Sequence, residues 1–122
     1  MKYHVAIVVI AIVGLMAINS AWAGDAAKGE QVFKQYATCH TTEAGKHKVG
    51  PSLFGVVGRK AGAVEGFEYS KSMQEARITW TAKALDTYLM RPKKRVPNIN
   101  MAFPGLEGAE RADVIEYLET KK

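Results

Sequence analysis

The residues best suited to metal chemistry are the adjacent pair Cys39-His40 and Met101, which lies in a proline-flanked loop. A cysteine followed by a histidine is the second half of the C-x-x-C-H signature, in which thiols add to the vinyl groups of haem and the histidine ligates iron. Tyr36 stands where the first cysteine of that signature would be. Taken alone the pair is therefore a weak signal, and a chance Cys-His pair is the simpler interpretation.

The composition is typical of one globular domain. The chain has 122 residues, of which 48% are hydrophobic and 24% charged, so it is neither a disordered nor a fibrous chain. Its single cysteine excludes an intramolecular disulfide, and together with only 3 histidines it excludes the usual four-ligand zinc finger. So small a chain needs another element to stabilise it.

The N-terminus has the pattern of an export signal. Lys2 is followed by the uncharged apolar run Val5–Ile18 and by the small-residue triplet A-W-A, which ends at Ala23. We expect a cleaved signal peptide at 1–23 and a mature domain at 24–122 in a bacterial periplasm. The alternative is an uncleaved anchor, but the apolar run falls short of the ~20 residues that cross a bilayer. Without Lys2, 16 basic residues remain against 12 acidic ones, a charge of +4.

The elements that must position these residues are helices joined by long loops. No segment reads as a β-strand, so the fold class is all-α. Residues 41–78 are rich in glycine and irregular, and residues 92–108 form a loop with three prolines. So few short helices cannot easily enclose a core, whereas a large apolar prosthetic group would complete it. The predicted helices are Asp25 to about Tyr36, a short one near Lys71–Glu75, Thr81 to about Arg91, and Ala109–Glu119.

Seven ordered segments of the mature chain resemble class I cytochrome c, of the mitochondrial and bacterial c2 kind. Only the haem-attachment position, Tyr36, departs seriously from the family pattern. The segments are G-D-A-A-K-G-E-Q-V-F, H-K-V-G-P-S-L-F-G-V-V-G-R-K, G-F-E-Y-S, I-T-W, Y-L-M-R-P-K-K, P-N-I-N-M-A-F and A-D-V-I-E-Y-L.

The resemblance implies the small class I cytochrome c fold, with three to five short helices and long loops around one haem. It implies His40 and Met101 as axial ligands of the iron and Cys39 as the only thioether, so one vinyl group stays unsaturated. An imidazole opposite a thioether raises the reduction potential, and filling both axial positions leaves no site for a substrate. The implied function is one-electron transfer rather than enzyme catalysis.

The resemblance also implies roles around the haem. The Pro51 carbonyl would accept the proton of the ligand histidine, Tyr88 would hydrogen-bond the methionine sulfur, and Phe103 would cover the haem face. The haem propionates would be held by Arg59, Tyr69 and Trp80.

Two further residues have expected structural roles. Gly29 resembles the glycine at which the first and last helices of the family cross, here against Tyr117. His47 is expected to hydrogen-bond a loop carbonyl.

A basic surface is expected to frame the exposed haem edge. It would steer the protein to the acidic docking faces of membrane redox complexes: a bc1-type donor, and a terminal oxidase or photosynthetic reaction centre as acceptor. The alternative is an ordinary solvated charged face. We expect a monomer that does not bind nucleic acid. The residues of this surface are Lys46, Lys48, Lys93, Lys94 and Arg95.

Two other functions stay open at this point. Breaking the Met101 bond would give the iron an open position, as in a peroxidase-like haem protein. Alternatively, Tyr36 could mark a haem-deficient variant of a cytochrome c, which would be poorly folded.

Overall fold

The computed structural model describes residues 24–122, and the predicted signal peptide lies outside the described residues. Within that range the chain forms five helices, one isolated β-bridge between Lys60 and Thr79, and no strand. This confirms the all-α prediction. The helices are α1 (Ala26–Phe33), α2 (Lys71–Gln74), α3 (Ala82–Met90), α4 (Pro92–Arg95) and α5 (Gly108–Glu119).

Helix α1 begins where the sequence predicts and ends earlier. The Asp25 carboxylate accepts hydrogen bonds from the backbone N–H groups of Ala27 at 2.9 Å and Lys28 at 3.1 Å, which caps the helix. The prediction that the helix reaches Tyr36 is wrong. After Phe33 the hydrogen bonds tighten to a three-residue spacing, as in Tyr36 N–H to the Phe33 carbonyl at 2.8 Å, so the chain continues as turns to Cys39.

The first and last helices cross at Gly29, as predicted. A Cβ added to Gly29 would collide with the Asp113 carbonyl and lie 2.8 Å from the Cβ of Tyr117, so no larger residue fits without a shift. The Asp25 N–H donates to the Asp113 carboxylate at 2.8 Å, and the Phe33 and Tyr117 rings pack with centroids 5.6 Å apart. The packed α1–α5 pair therefore fixes the start of the turn that leads from α1 to His40.

Helix α3 confirms its sequence prediction, whereas the loop after it differs. The Thr81 hydroxyl caps α3 by accepting from the Ala84 N–H at 3.1 Å. Residues 92–108 were expected to be loop throughout, but Pro92–Arg95 form one helical turn, α4. Proline has no N–H to satisfy at a first helical position, so Pro92 starts α4 as readily as it ends α3.

The core lies between α1, α3 and α5. Its ties include an Arg111–Asp86 ion pair of 2.8 Å that joins α5 to α3. No helix in the described range is long and apolar enough to cross a membrane. The buried apolar side chains are Phe33, Val56, Ile78, Trp80, Leu85, Tyr88, Val96, Leu106, Val114, Ile115, Tyr117 and Leu118.

Candidate cofactor site

A cavity of about 460 Å³ lies beside the core and is lined mainly by apolar side chains. That volume lies within the range of small-molecule and cofactor pockets. The structure brings together every residue that the sequence analysis singled out as cofactor-binding. These lining residues are Cys39, His40, Pro51, Arg59, Tyr69, Trp80, Tyr88, Met101 and Phe103.

His40 presents the form of imidazole that binds a metal. Its Nδ1–H donates to the Pro51 carbonyl at 2.8 Å, the hydrogen bond expected from the sequence. The proton on Nδ1 leaves the lone pair of Nε2 free, which fixes the tautomer. Burial lowers the pKa of His40, so the ring stays neutral near pH 7.

Gly50 forms the wall against which the His40 ring lies, a role that the sequence analysis missed. A Cβ at Gly50 would collide with the ring atoms of His40. The Gly50 N–H donates to the Cys39 carbonyl at 2.7 Å, and the Leu53 N–H donates to the Thr41 carbonyl at 2.8 Å. The loop after α1 is thus fixed on both sides of the imidazole. The only signal for this in the sequence is a glycine directly before Pro51.

Met101 lies in a segment held in a different way. In residues 98–104 exposure alternates, with Ile99, Met101 and Phe103 partly buried and the residues between them exposed. The backbone turns at residues 97–98 and bends at Asn100, and the alternation leaves every second side chain on the inner side. The three inward side chains line the cavity and pack against the core. We call residues 97–105 the Met101 segment.

Packing at its two ends fixes the Met101 segment. Val96, which is 2% exposed, precedes it, and the Leu106 N–H after it donates to the Leu89 carbonyl at 2.9 Å. Among residues 24–122, no hydrogen bond joins the segment itself to the rest of the protein.

Arg59 is a partly buried cation with no carboxylate partner in the described part of the chain. Its two terminal nitrogens donate to the carbonyls of Phe54 and Ser52, each at 3.1 Å, while its buried Nε has no partner in the described region. Burial lowers the pKa of the Arg59 guanidinium, yet arginine stays protonated in proteins. No ion pair within the described range includes Arg59. A ligand carboxylate at this wall would supply the missing charge.

Tyr88 and Trp80 pack against each other in the cavity wall, with ring centroids 4.9 Å apart. Burial raises the pKa of Tyr88 to about 12, so its hydroxyl remains protonated at neutral pH. The hydrogen bond expected from Tyr88 to the Met101 sulfur is not formed between these two residues in the structure. The contact of Tyr88 that the structure does show is the packing of its ring against Trp80. The Tyr69 hydroxyl accepts from the Val64 N–H at 3.3 Å and keeps its own proton to donate.

Tyr36 occupies the cavity wall next to Phe103, with ring centroids 4.9 Å apart. Its hydroxyl oxygen is buried and has no hydrogen-bond partner in the described part of the chain. Burial, with a smaller effect from the Glu110 carboxylate, raises the pKa of Tyr36. The phenol is therefore neutral and acts as a bulky, mostly apolar group.

These residues fit a large apolar ring that carries a metal and acidic substituents. Residues 24–122 hold no cluster of three or more His, Cys, Asp or Glu side chains that could bind a bare metal ion. The imidazole of His40, the thioether of Met101 and the unpaired thiol of Cys39 nevertheless line one cavity. The unpaired Arg59 cation is suited to a propionate.

Comparison with known proteins identifies the family. The cytochrome c family model matches residues 26–122. The chain is 45% identical over 101 residues to cytochrome c 2.1 of Caenorhabditis briggsae, which covers 81% of this chain and 90% of that protein. It is 53% identical over 81 residues to cytochrome c of Trypanosoma brucei brucei, which covers 66% and 87%. The solved structure of cytochrome cH from Methylobacterium extorquens matches with a TM-score of 0.76 at 43% identity, covering 80% of this chain and 100% of that one. The chain therefore belongs to the cytochrome c family, whose members bind c-type haem and carry electrons rather than catalyse reactions.

Proposed function

We propose that the chain is an exported one-electron carrier whose haem is attached through Cys39 alone and ligated by His40 and Met101. The supporting observation is the geometry of His40. Its Nδ1–H is committed to the Pro51 carbonyl at 2.8 Å, which leaves Nε2 free in a cavity that Cys39 and Met101 also line.

A bound haem supplies an iron atom that gains and loses one electron. The residues of this chain determine what else can happen there. His40 and Met101 would both ligate that iron, so neither oxidation state would require a change of ligand and no position would be left for a substrate. The Pro51 carbonyl keeps the imidazole oriented and basic. The apolar wall, including Trp80, would keep water away from a bound ring.

Attachment through a single thioether follows from the cysteine count. Cys39 is the one cysteine of the chain and lines the cavity, and Tyr36 stands at the position of the other attachment residue. One covalent bond and two axial bonds keep the haem at a high effective concentration beside its site.

The attachment is tested on protein purified from the periplasm, by the reduced pyridine haemochrome spectrum and the intact mass. We expect haem mass to be retained under denaturing conditions, with an α-band between those of b-type and two-thioether c-type haem. Tyr36→Cys should move the band to the two-thioether position, and Cys39→Ser should release the haem into acid ketone. Haem that extracts from the unchanged protein would refute the covalent bond. A mature N-terminus at Gly24 in that fraction tests export and cleavage.

The basic surface supports docking to acidic faces of a bc1-type donor and of a terminal oxidase or reaction-centre acceptor. Its five residues are all exposed, but two have partners: Lys46 pairs with Glu43 at 2.8 Å, and Lys48 donates to the Ala37 carbonyl at 2.7 Å. The other three residues, Lys93, Lys94 and Arg95, have no such partner in the described chain. We call them the α4 basic cluster.

Docking is tested by stopped-flow electron transfer with an acidic redox partner. The second-order rate constant should fall as ionic strength rises, because salt screens steering between exposed charges. Lys93→Gln should lower that rate constant at low salt. Lys71→Gln, on α2 where Lys71 already faces Glu75 at 3.9 Å, is the matched control. Equal rate constants for the two variants would argue against docking through the α4 basic cluster.

A further inference from the structure

The position of Met101 depends on packing. The Met101 segment makes no hydrogen bond with the rest of the described chain. Its ends are fixed at Val96 and at Gly105–Leu106, where a Cβ on Gly105 would collide with the Met90 carbonyl. Between those ends, the inward side chains Ile99 and Phe103 must hold the backbone that carries the sulfur.

Phe103 has one aromatic neighbour in the described structure, and it is Tyr36. The ring centroids are 4.9 Å apart and the planes are inclined by 60°. Tyr36 also approaches Phe33 at 6.1 Å, and Phe33 packs on Tyr117 at 5.6 Å. A continuous row of rings therefore runs from α5 through α1 to the Met101 segment, and Tyr36 is the link that crosses the cavity wall.

A cysteine at position 36 could not make this link, because its side chain has no ring to reach Phe103. Where the C-x-x-C-H signature has a residue capable of a covalent bond to the cofactor, this chain has one that contacts the segment bearing the other proposed ligand. The ring carries this contact rather than the hydroxyl, which is buried without a partner and so stabilises nothing on the protein side.

We infer that Tyr36 is a positioning residue for Met101: its ring holds the Met101 segment through Phe103 and so keeps the sulfur on the iron. This inference rests on the proposed function, in which Met101 ligates the haem iron. Tyr36 itself acts only through Phe103.

The test measures how easily an external ligand displaces Met101. Imidazole is titrated into the ferric full-length protein, and its apparent affinity is read from the loss of the Met-to-iron charge-transfer absorption. An aromatic pair of this geometry is equivalent to roughly threefold to tenfold in an equilibrium constant. We expect Tyr36→Ala and Phe103→Ala each to raise the imidazole affinity by about that factor. The double variant should show less than the product of the two effects, because the pair shares one contact.

Two control variants distinguish an effect on the position of Met101 from a general loss of stability of the fold. Tyr36→Phe keeps the ring and should leave the imidazole affinity within about twofold of the unchanged protein. Ile115→Ala removes a fully buried side chain of α5 that does not line the cavity, so it should lower the melting temperature without changing that affinity.

Each outcome decides the matter. An unchanged affinity in Tyr36→Ala, effects that multiply in the double variant, or an equal rise in Ile115→Ala would overturn the inference while leaving the proposed function intact. Haem that is bound but extractable would refute the thioether and still allow the imidazole comparison. A chain that takes up no haem would overturn both.

Discussion

The two proposed iron ligands, His40 and Met101, lie in regions that are held in place differently. On the His40 side, the loop after α1 is fixed by hydrogen bonds: Nδ1 to the Pro51 carbonyl at 2.8 Å, and Gly50 N–H to the Cys39 carbonyl at 2.7 Å. On the Met101 side, no hydrogen bond links the Met101 segment to the rest of the described chain, and three inward side chains hold it.

This difference indicates which of the two proposed ligands is displaced from the iron more easily. Hydrogen bonds fix direction as well as distance, whereas apolar contacts tolerate sliding. We therefore expect the His40 side to be intolerant of small changes and the Met101 side to open under mild ones. With the proposed ligands, we expect the protein to keep its haem on His40 when the Met101 segment moves.

The sharpest test of the His40 side is Gly50→Ala. The added Cβ would collide with the imidazole, so either the loop or the ring must shift. Overpacking of this kind costs about 3 kcal/mol or more when backbone must move. We expect a large loss of haem incorporation and of the low-spin spectrum, measured per milligram of purified protein.

Gly108→Ala is the matched control for that change. An added Cβ at Gly108, at the start of α5, would meet only the Arg111 guanidinium at 3.7 Å. Alanine favours a helix over glycine by up to ~1 kcal/mol, so this variant should be as stable as the unchanged protein or more stable. Haem incorporation in Gly50→Ala equal to that in Gly108→Ala would contradict the rigid wall behind His40.

What the sequence could predict depends on whether a role is local. The pair Cys39-His40 and the loop residue Met101 were identifiable because their residue types carry the chemistry wherever they stand. Gly50 and the Tyr36–Phe103 contact were not, because each depends on which segments, distant along the chain, come to lie together. The early end of α1 was missed for a related reason: apolar residues at helical spacing continue past Phe33, while the backbone bonds tighten there.

Arg111→Ala should weaken the contacts that hold the C-terminal end of the Met101 segment. Arg111 pairs with Asp86 at 2.8 Å, with side-chain exposures of 14% and 23%, and donates to the Leu106 carbonyl at 2.7 Å. Removing it leaves a carboxylate short of a partner and frees Leu106. Allowing for partial solvent screening, we expect a loss of about 2 kcal/mol in the free energy of unfolding by urea, with a rise in imidazole affinity.

Lys71→Ala provides the comparison for that ion pair. Lys71 and Glu75 are 87% and 66% exposed and 3.9 Å apart, so the change should cost at most about 0.5 kcal/mol. A similar cost for Arg111→Ala would show that the buried pair does not hold α3, α5 and the end of the Met101 segment together.

Alkaline pH should weaken the fold through Tyr88. Burial raises its pKa to about 12, whereas the unfolded chain loses the same proton near 10. The stabilisation is thus complete below about pH 10 and is lost as pH rises toward 12, by about 3 kcal/mol in total. Urea unfolding between pH 9 and 11.5 should show this slope. Because burial also raises the pKa of Tyr36, Tyr88→Phe should reduce the slope, and adding Tyr36→Phe should reduce it further. Identical slopes in both proteins would rule out Tyr88 as the source.

The smallest expected effect concerns two residues with left-handed backbone, one inside the Met101 segment and one outside it. Asn98 in the Met101 segment has φ 59°, and Arg77, before Ile78, has φ 50°. Asparagine tolerates this conformation, so Asn98→Ala should cost about 1 kcal/mol, while Asn98→Gly should be nearly neutral. Because Asn98 lies in the packed segment, its alanine variant should also raise imidazole affinity.

Arg77→Gly should leave that affinity unchanged and alter only the urea midpoint, upward if relief of strain exceeds the greater freedom of glycine in the unfolded chain. A change in imidazole affinity in Arg77→Gly as large as in Asn98→Ala would mean that the Met101 segment responds to global stability and is not held by its own packing.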